Sequence, residues 1–256
     1  MGFLSKKIKK HIRNKIPRLA EHFGYVTSSP ICLKNKKDKK AHSSHIVPAQ
    51  EYKDFVEVYQ AQKHYSSNPD FVRIFFLHER SKYIIENNIQ GDFAELGVYR
   101  GHTARVLLDS CGSRTLRLFD TFQGHPDNAC ADQDGELYVD HIKQKTLSDT
   151  SEAEVRNLLG HAKNLVIHKG FFPESAAECH DLQFAFVHLD ADQYESTLEG
   201  FRFFYPRLSP GGVMICHDYG RYQGVRKAVN EFRKLSYEHP ILLPDSTGSI
   251  MFIKSV

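Results

Sequence analysis

"GDFAELGVYRGHTARVLL", residues 91–108, passes from an apolar segment into a turn holding two glycines and then into a run with helical apolar spacing. A short strand that turns at once into a helix is the first half of a βαβ unit. The same alternation continues along the chain. Strands are expected over 92–97, 115–120, 164–168, 183–189 and 212–217, and helices over 102–110, 151–160, 174–180, 195–207 and 222–235. The final stretch, "PILLPDSTGSIMFIKSV", joins two apolar runs through a Gly-containing turn and predicts a hairpin that adds antiparallel strands at the sheet edge. The expected fold class is therefore α/β, a doubly wound, mostly parallel seven-stranded Rossmann-like sheet with a C-terminal antiparallel hairpin and an N-terminal helical extension.

Upstream of residue 91 the pattern changes. Two helical stretches are expected over 50–66 and 69–88, so that residues 48–256 form one enzyme-sized domain. Residues 1–47 read as a basic arm and linker. Residues 1–40 carry twelve Lys and Arg against two acids, leaving 22 basic and 29 acidic residues in the remainder. In the first 19 residues Leu4, Ile8, Ile12, Ile16 and Leu19 share a helical stripe with basic residues around it, the pattern of an interfacial helix. Two partners suit such a stripe: a membrane surface, or this domain and a second copy of it in a homodimer. Nucleic acid suits it poorly, because the basic residues do not extend into the domain and no stacking aromatics alternate with them. Five scattered cysteines without a C-x-x-C pair suit reduced thiols, and no apolar run is long enough to span a bilayer. A cytoplasmic protein is expected, with peripheral contact at the inner membrane surface as the alternative for the arm.

The turn in the opening stretch is built for a ligand. Gly97 can bring backbone close to a bound group, Gly101 eases the helix start, and Thr103 lies at the helix N-terminus. Asp120 ends the second strand 23 residues beyond Gly97, a spacing suited to the hydroxyls of a ribose. Glu95 would repel a dinucleotide pyrophosphate, whereas it could accept hydrogen bonds from a cationic amino-acid moiety. That favours S-adenosylmethionine over a nicotinamide cofactor.

"FAFVHLDADQYES", residues 184–196, delivers Asp190 and Asp192 to the end of a core strand, and "GGVMICHDYG" delivers His217 and Asp218 to the end of the next. Ligands gather at the carboxyl ends of such strands. Clustered carboxylates there need a cation or a proton-transfer role. Taken singly, Asp218 could cap the helix near Tyr222, Asp192 could cap helix 195–207, and His217 could be a satisfied strand-end histidine.

"GDFAELGVYRGHTA", "LFDTFQG", "LDADQYESTLEGFRFFYPRLSPGG" and "HDYG…GVRKAVNEF" together resemble the macrocin O-methyltransferase family, TylF-like class I S-adenosylmethionine enzymes, over roughly residues 70–256. The resemblance implies a sugar-hydroxyl O-methyltransferase. It implies that Glu95, Gly97, Tyr99, Gly101 and Thr103 surround the methionine part of the cofactor and that Asp120 holds the ribose. Thr121, Phe122, Gly170 and Phe171 complete that cofactor shell, with the two phenylalanines near the adenine. Asp190, His217 and Asp218 would bind a divalent metal, magnesium or manganese, and Asp192 would serve as general base. One position departs from the family, which has two consecutive aspartates where this chain has His217 and Asp218. The change disfavours magnesium and opens a metal-free route with His217 as base. Two further readings are an NAD-dependent oxidoreductase, disfavoured by Glu95 and the missing G-x-G-x-x-G, and a non-catalytic module that keeps the fold. The segment 121–150 is expected to cover a hydroxylated small-molecule or glycan acceptor, with Tyr194, Tyr219 and Tyr222 as candidate walls.

Overall fold

The computed structural model describes residues 25–28, 45–48, 55, 57, 70–125, 131–135, 138–139, 147–234 and 239–255. The chain divides into two compact units, residues 1–75 with 244–246, and residues 76–243 with 247–256. In the first unit, β1 (Tyr25–Ser28) and β2 (His45–Pro48) pair antiparallel with Val26 opposite Val47 and Thr27 opposite Ile46. Neither strand is expected from the sequence reading of residues 1–47 as arm and linker. Both are short runs rich in β-branched residues, which suit a pleated strand. The amphipathic stripe over 1–19, most of the linker 34–45 and most of helix 50–66 lie outside the described residues, although Phe55 and Glu57 are helical.

Helix α1 (Phe71–Glu86) follows Asp70, whose Oδ1 accepts the Arg73 N–H at 3.2 Å. Its Oδ2 accepts the backbone N–H and the hydroxyl of Ser246. Burial pushes this carboxyl up, but the bonds from Ser246 and Arg73 outweigh it and hold Asp70 below its ordinary value. A lowered folded-state pKa gives stability that is present above the unfolded value of 3.8 and lost as pH falls through the folded one. Asp70→Ala is expected to cost about 1–2 kcal/mol at neutral pH, read by urea denaturation. The difference from wild type should shrink on acidification below the unfolded value.

The second unit holds the seven-stranded sheet. Its strands are β3 (Asp92–Leu96), β4 (Leu116–Asp120), β5 (Leu165–Lys169), β6 (Phe184–Leu189), β7 (Leu208–Cys216), β8 (Ile241–Leu242) and β9 (Ile250–Ile253), in the spatial order β5-β4-β3-β6-β7-β9-β8. The first five are parallel, and β9 pairs antiparallel with both β7 and β8. All six residues of β6 are buried, five of them apolar, as in a strand covered on both faces. The helices are α2 (His102–Ser110), the short α3 (Ala131–Asp134), α4 (Glu152–Leu159), α5 (Tyr194–Arg207) and α6 (Gln223–Phe232). Residues 174–179, expected as an α-helix, form a 3-10 turn; six residues give an α-helix little chance to repay its nucleation. On α5, the Phe204 ring packs on Phe119, Phe172 and Phe184, while Phe201 stacks on Phe232 at 4.6 Å. Each such buried ring contributes about 2–3 kcal/mol of apolar transfer energy. Strand β7 stops at Cys216, one residue short of the expected end, and so leaves His217 and Asp218 on a loop. Cys111, Cys179 and Cys216 are buried free thiols, and among the described residues no helix is long and apolar enough to cross a membrane.

Candidate active site

The strand order places five carboxyl ends in a row: Gly170 and Phe171 after β5, Asp120 to Phe122 at β4, Gly97 to Gly101 after β3, Asp190 to Asp192 after β6, and His217 with Asp218 after β7. The winding direction reverses between β3 and β6, the place where open α/β sheets bind ligands. Gly97, Tyr99, Gly101, Asp120, Thr121, Phe122, Gly170, Phe171, Asp190, Asp192, His217 and Asp218 thus all lie along one edge of one sheet.

The β3 loop is held by its neighbours. Gly97 has φ +86°, and a methyl group on it would sit 2.0 Å from the Asp190 carbonyl oxygen. The two strand ends approach so closely that only a hydrogen fits between them. Asp120 Oδ2 accepts the N–H groups of Val98 at 2.7 Å and Tyr99 at 2.9 Å, and its Oδ1 accepts that of Phe122 at 2.7 Å. Three of a carboxylate's roughly four lone-pair positions are thereby spent on shaping the loops, leaving one for a hydroxyl. Tyr99, at φ +51°, donates its hydroxyl to Asp149 Oδ1 at 2.7 Å, and Thr150 donates to the Tyr99 carbonyl. Gly101, at φ +80°, opens α2. Thr121 Oγ1 accepts from Gln123 N–H at 3.2 Å, Phe122 is buried, and the Gly170 N–H bonds to the Asp120 carbonyl at 3.0 Å. Beside it the Phe171 ring is 57% exposed, unusual for so large an apolar group.

Glu95 lies deeper than the sequence reading placed it. It is fully buried beside the mostly buried Thr103, and its Oε1 lies 2.8 Å from Nδ1 of the equally buried His188, its register partner across β3 and β6. Burial raises the proton affinity of Glu95, and His188 opposes that rise. Among the described residues, Glu95 Oε2 and His188 Nε2 have no hydrogen-bond partner.

Asp190, Asp192, His217 and Asp218 each present a potential ligand atom, and these atoms all lie within 4.8 Å of one another. Asp192 and Asp218 both have left-handed backbones, φ +60° and +59°, that turn their carboxyls into the cluster. His217 Nδ1 lies 2.6 Å from Asp190 Oδ1 and 3.3 Å from Asp218 Oδ2, while Nε2 bonds to Thr247 Oγ1 at 2.7 Å. Burial, then the charges of Asp218 and Asp190, push Asp192 well up. Asp218 is pushed up by burial too, but hydrogen bonds from His217 and Asp192 leave it below its ordinary value. The donor set fits a divalent cation. Asp218 Oδ1 is buried with no hydrogen-bond partner among the described residues, and a ring nitrogen tied back by Thr247 is how a metal-ligating histidine is normally oriented. The capping alternatives do not occur. The α5 N-cap is Gln193, with Asp134 Oδ1 taking the Tyr194 N–H at 2.6 Å, and the α6 N-cap Tyr222 has no side-chain cap.

Four residues of this region escape a reading of the sequence: Thr247, Asp134, His125 and Tyr138. His125 Nε2 stands 3.8 Å from Asp192 Oδ2, and its Nδ1 is 2.8 Å from the Tyr138 hydroxyl. The segment 121–150, which holds all of these but Thr247, is legible as a long polar loop, but nothing in its spacing says which strand end it meets. Tyr194, expected as an acceptor wall, instead donates its hydroxyl to Glu231 Oε2 on α6 at 2.6 Å.

Comparison with known proteins agrees with this fold. A family model described as macrocin O-methyltransferase (TylF) matches residues 71–251. Demethyldecarbamoylnovobiocin O-methyltransferase of Streptomyces niveus is 29% identical over 161 residues, 59% of this chain and 61% of that protein. A Streptomyces olivaceus enzyme named as the 4'-O-methyltransferase of a rhamnosyl-tetracenomycin is 29% identical over 178 residues, 64% of this chain and 67% of that one. The match to the first of these thus spans less than two thirds of its length. The solved O-methyltransferase NovP superposes with a TM-score of 0.64 at 24% identity, covering 75% of this chain and 85% of its own, a likeness of fold.

Proposed function

The chain belongs to the macrocin O-methyltransferase (TylF) family, and from that membership we propose that it methylates a hydroxyl of a sugar-bearing acceptor with S-adenosylmethionine and divalent-metal assistance. The observation that carries the reading is the four-residue cluster of ligand atoms within 4.8 Å, beside the loop of β3. A rhamnosyl group in the name of one relative supports a sugar acceptor.

When bound, S-adenosylmethionine supplies a sulfonium-activated methyl group, and a divalent cation lowers the pKa of a hydroxyl that it chelates. Gly97, Tyr99, Gly101 and Thr103 would cradle the methionine part, with Glu95 beneath them as a buried acidic group. The remaining lone pair of Asp120 suits a ribose hydroxyl. Thr121, Phe122 and Gly170 stand at the adjacent ends of β4 and β5, and the exposed Phe171 ring would gain cover from a planar base.

Asp190, His217 and Asp218 would hold the cation. An imidazole among the ligands makes manganese or a later transition metal more competitive with magnesium than an all-oxygen site would. Asp192 takes the acceptor proton: it is the carboxylate of the cluster left over once Asp190, His217 and Asp218 hold the cation, and burial raises its proton affinity above that of an exposed carboxylate. His217 suits that role poorly, because both its ring nitrogens are engaged.

Isothermal titration tests the assignment. S-adenosylhomocysteine is expected to bind the chelated protein, and manganese to give a separate heat that Asp190→Ala removes. Magnesium should bind more weakly than manganese. Absence of S-adenosylhomocysteine binding would overturn the proposal.

A further inference from the structure

His125 belongs to none of the roles above, yet its imidazole reaches the proposed base from a different loop. Nε2 to Asp192 Oδ2 is 3.8 Å, with the two side chains only 9% and 11% exposed. That separation is too long for a direct hydrogen bond, and it is short enough for a single oxygen to lie about 2.8 Å from both groups. Its ring is fixed on the far side. Nδ1 meets the Tyr138 hydroxyl at 2.8 Å, the two rings pack edge to face at 5.0 Å, and Tyr138 is fully buried against Tyr222 at 5.4 Å.

This packing also assigns the tautomer. Burial and the nearby acidic groups hold the Tyr138 phenol far from ionising, so it keeps its hydrogen. Among the described residues His125 Nδ1 is the acceptor in reach of that hydrogen. Nδ1 therefore carries the lone pair, and Nε2, the nitrogen 3.8 Å from Asp192 Oδ2, carries the hydrogen.

We infer that His125 is a substrate-contacting residue: its Nε2–H donates to the acceptor hydroxyl oxygen whose proton Asp192 Oδ2 receives. The O–H bond breaks towards Asp192, and the imidazole keeps its own proton throughout. His125 thus sets which hydroxyl of a polyol enters the reaction, since only an oxygen within reach of both groups is held and deprotonated. The inference rests on the methyltransferase reading given above.

The test uses the full chain loaded with S-adenosylhomocysteine and magnesium. Long-range proton–nitrogen NMR of the imidazoles is expected to show the Nε2–H tautomer at His125, and Tyr138→Phe to shift the ring towards a tautomer mixture. Titration with methyl α-L-rhamnoside and a panel of other methyl glycosides should move the His125 Nε2–H signal for each glycoside that the enzyme methylates. His125→Ala is expected to lower kcat/KM for those glycosides roughly 10- to 100-fold. His125→Gln should recover part of the loss, with the S-adenosylhomocysteine and metal heats unchanged in both variants. An Nδ1–H tautomer, or a His125→Ala enzyme with unaltered kcat/KM, would overturn the role of His125. If the wild-type protein neither binds nor methylates any glycoside, the sugar-methyltransferase reading fails, and this inference with it.

Discussion

Asp192→Asn is expected to lower methyl transfer by about 10³-fold while raising the thermal stability of the metal-free protein. The loss follows from removing a positioned general base, an effect in the range of about 10² to 10⁴. The gain follows from the same geometry. Asp192 is buried beside two other carboxyls, and both burial and those charges raise its pKa in the folded state. A raised carboxyl pKa contributes stability that is complete below the unfolded value and lost as pH rises through the folded one. Near neutral pH the native aspartate is therefore a burden that the neutral amide lacks. Asparagine also tolerates the left-handed backbone at φ +60°, so the exchange introduces no new strain. Calorimetric melting in chelator, set beside single-turnover kinetics with saturating acceptor, separates the two effects. A variant that is both inactive and less stable would argue against the assigned role and for a structural one. Stability given up at one residue in favour of activity is typical of a functional site.

Gly97→Ala should be the most damaging single methyl in the described chain. Its Cβ would lie 2.0 Å from the Asp190 carbonyl oxygen, a backbone atom that cannot swing aside, and the residue sits at φ +86°. Overpacking and left-handed strain together predict a loss of about 3–5 kcal/mol or more, a large part of a domain's roughly 5–15 kcal/mol. Gly160 is the control. Its backbone, at φ +73° and ψ −166°, is also one that glycine alone adopts readily, but no atom lies within 4 Å of an added methyl, so Gly160→Ala should carry the backbone strain alone, about 1–3 kcal/mol. Urea denaturation of both variants decides the matter, and equal losses would mean that the close approach at Gly97 is easily relaxed. If Gly97→Ala folds, its displaced Asp190 should also weaken the manganese heat.

These two residues differ in how much of their role was legible. Asp190 and Asp192 announce themselves as acids at the end of an apolar run, and Gly97 as a glycine between a strand and a helix. That Gly97 is pressed against Asp190 was not legible, because the contact depends on the spacing of two strands more than 90 residues apart in the chain. Asp120 shows the same division. Its place at a strand end follows from the pattern, but its use of three lone pairs to shape two loops follows only from how those loops fold back. Glu95 reads as a ligand-facing acid until the register of β3 and β6 pairs it with His188 in the interior.

The sequence by itself determined the parallel sheet, its antiparallel edge and the four-residue cluster. Strand and helix periods are local properties, and the carboxyl ends of parallel strands must share one edge. Only the tertiary structure decided that β1 and β2 pair, that Asp134 rather than Asp192 serves the start of α5, and that Thr247 orients His217. It alone carries His125 and Tyr138 to Asp192. Those contacts join segments distant in sequence, and they are set by strand register and loop packing, which no local pattern of residues encodes.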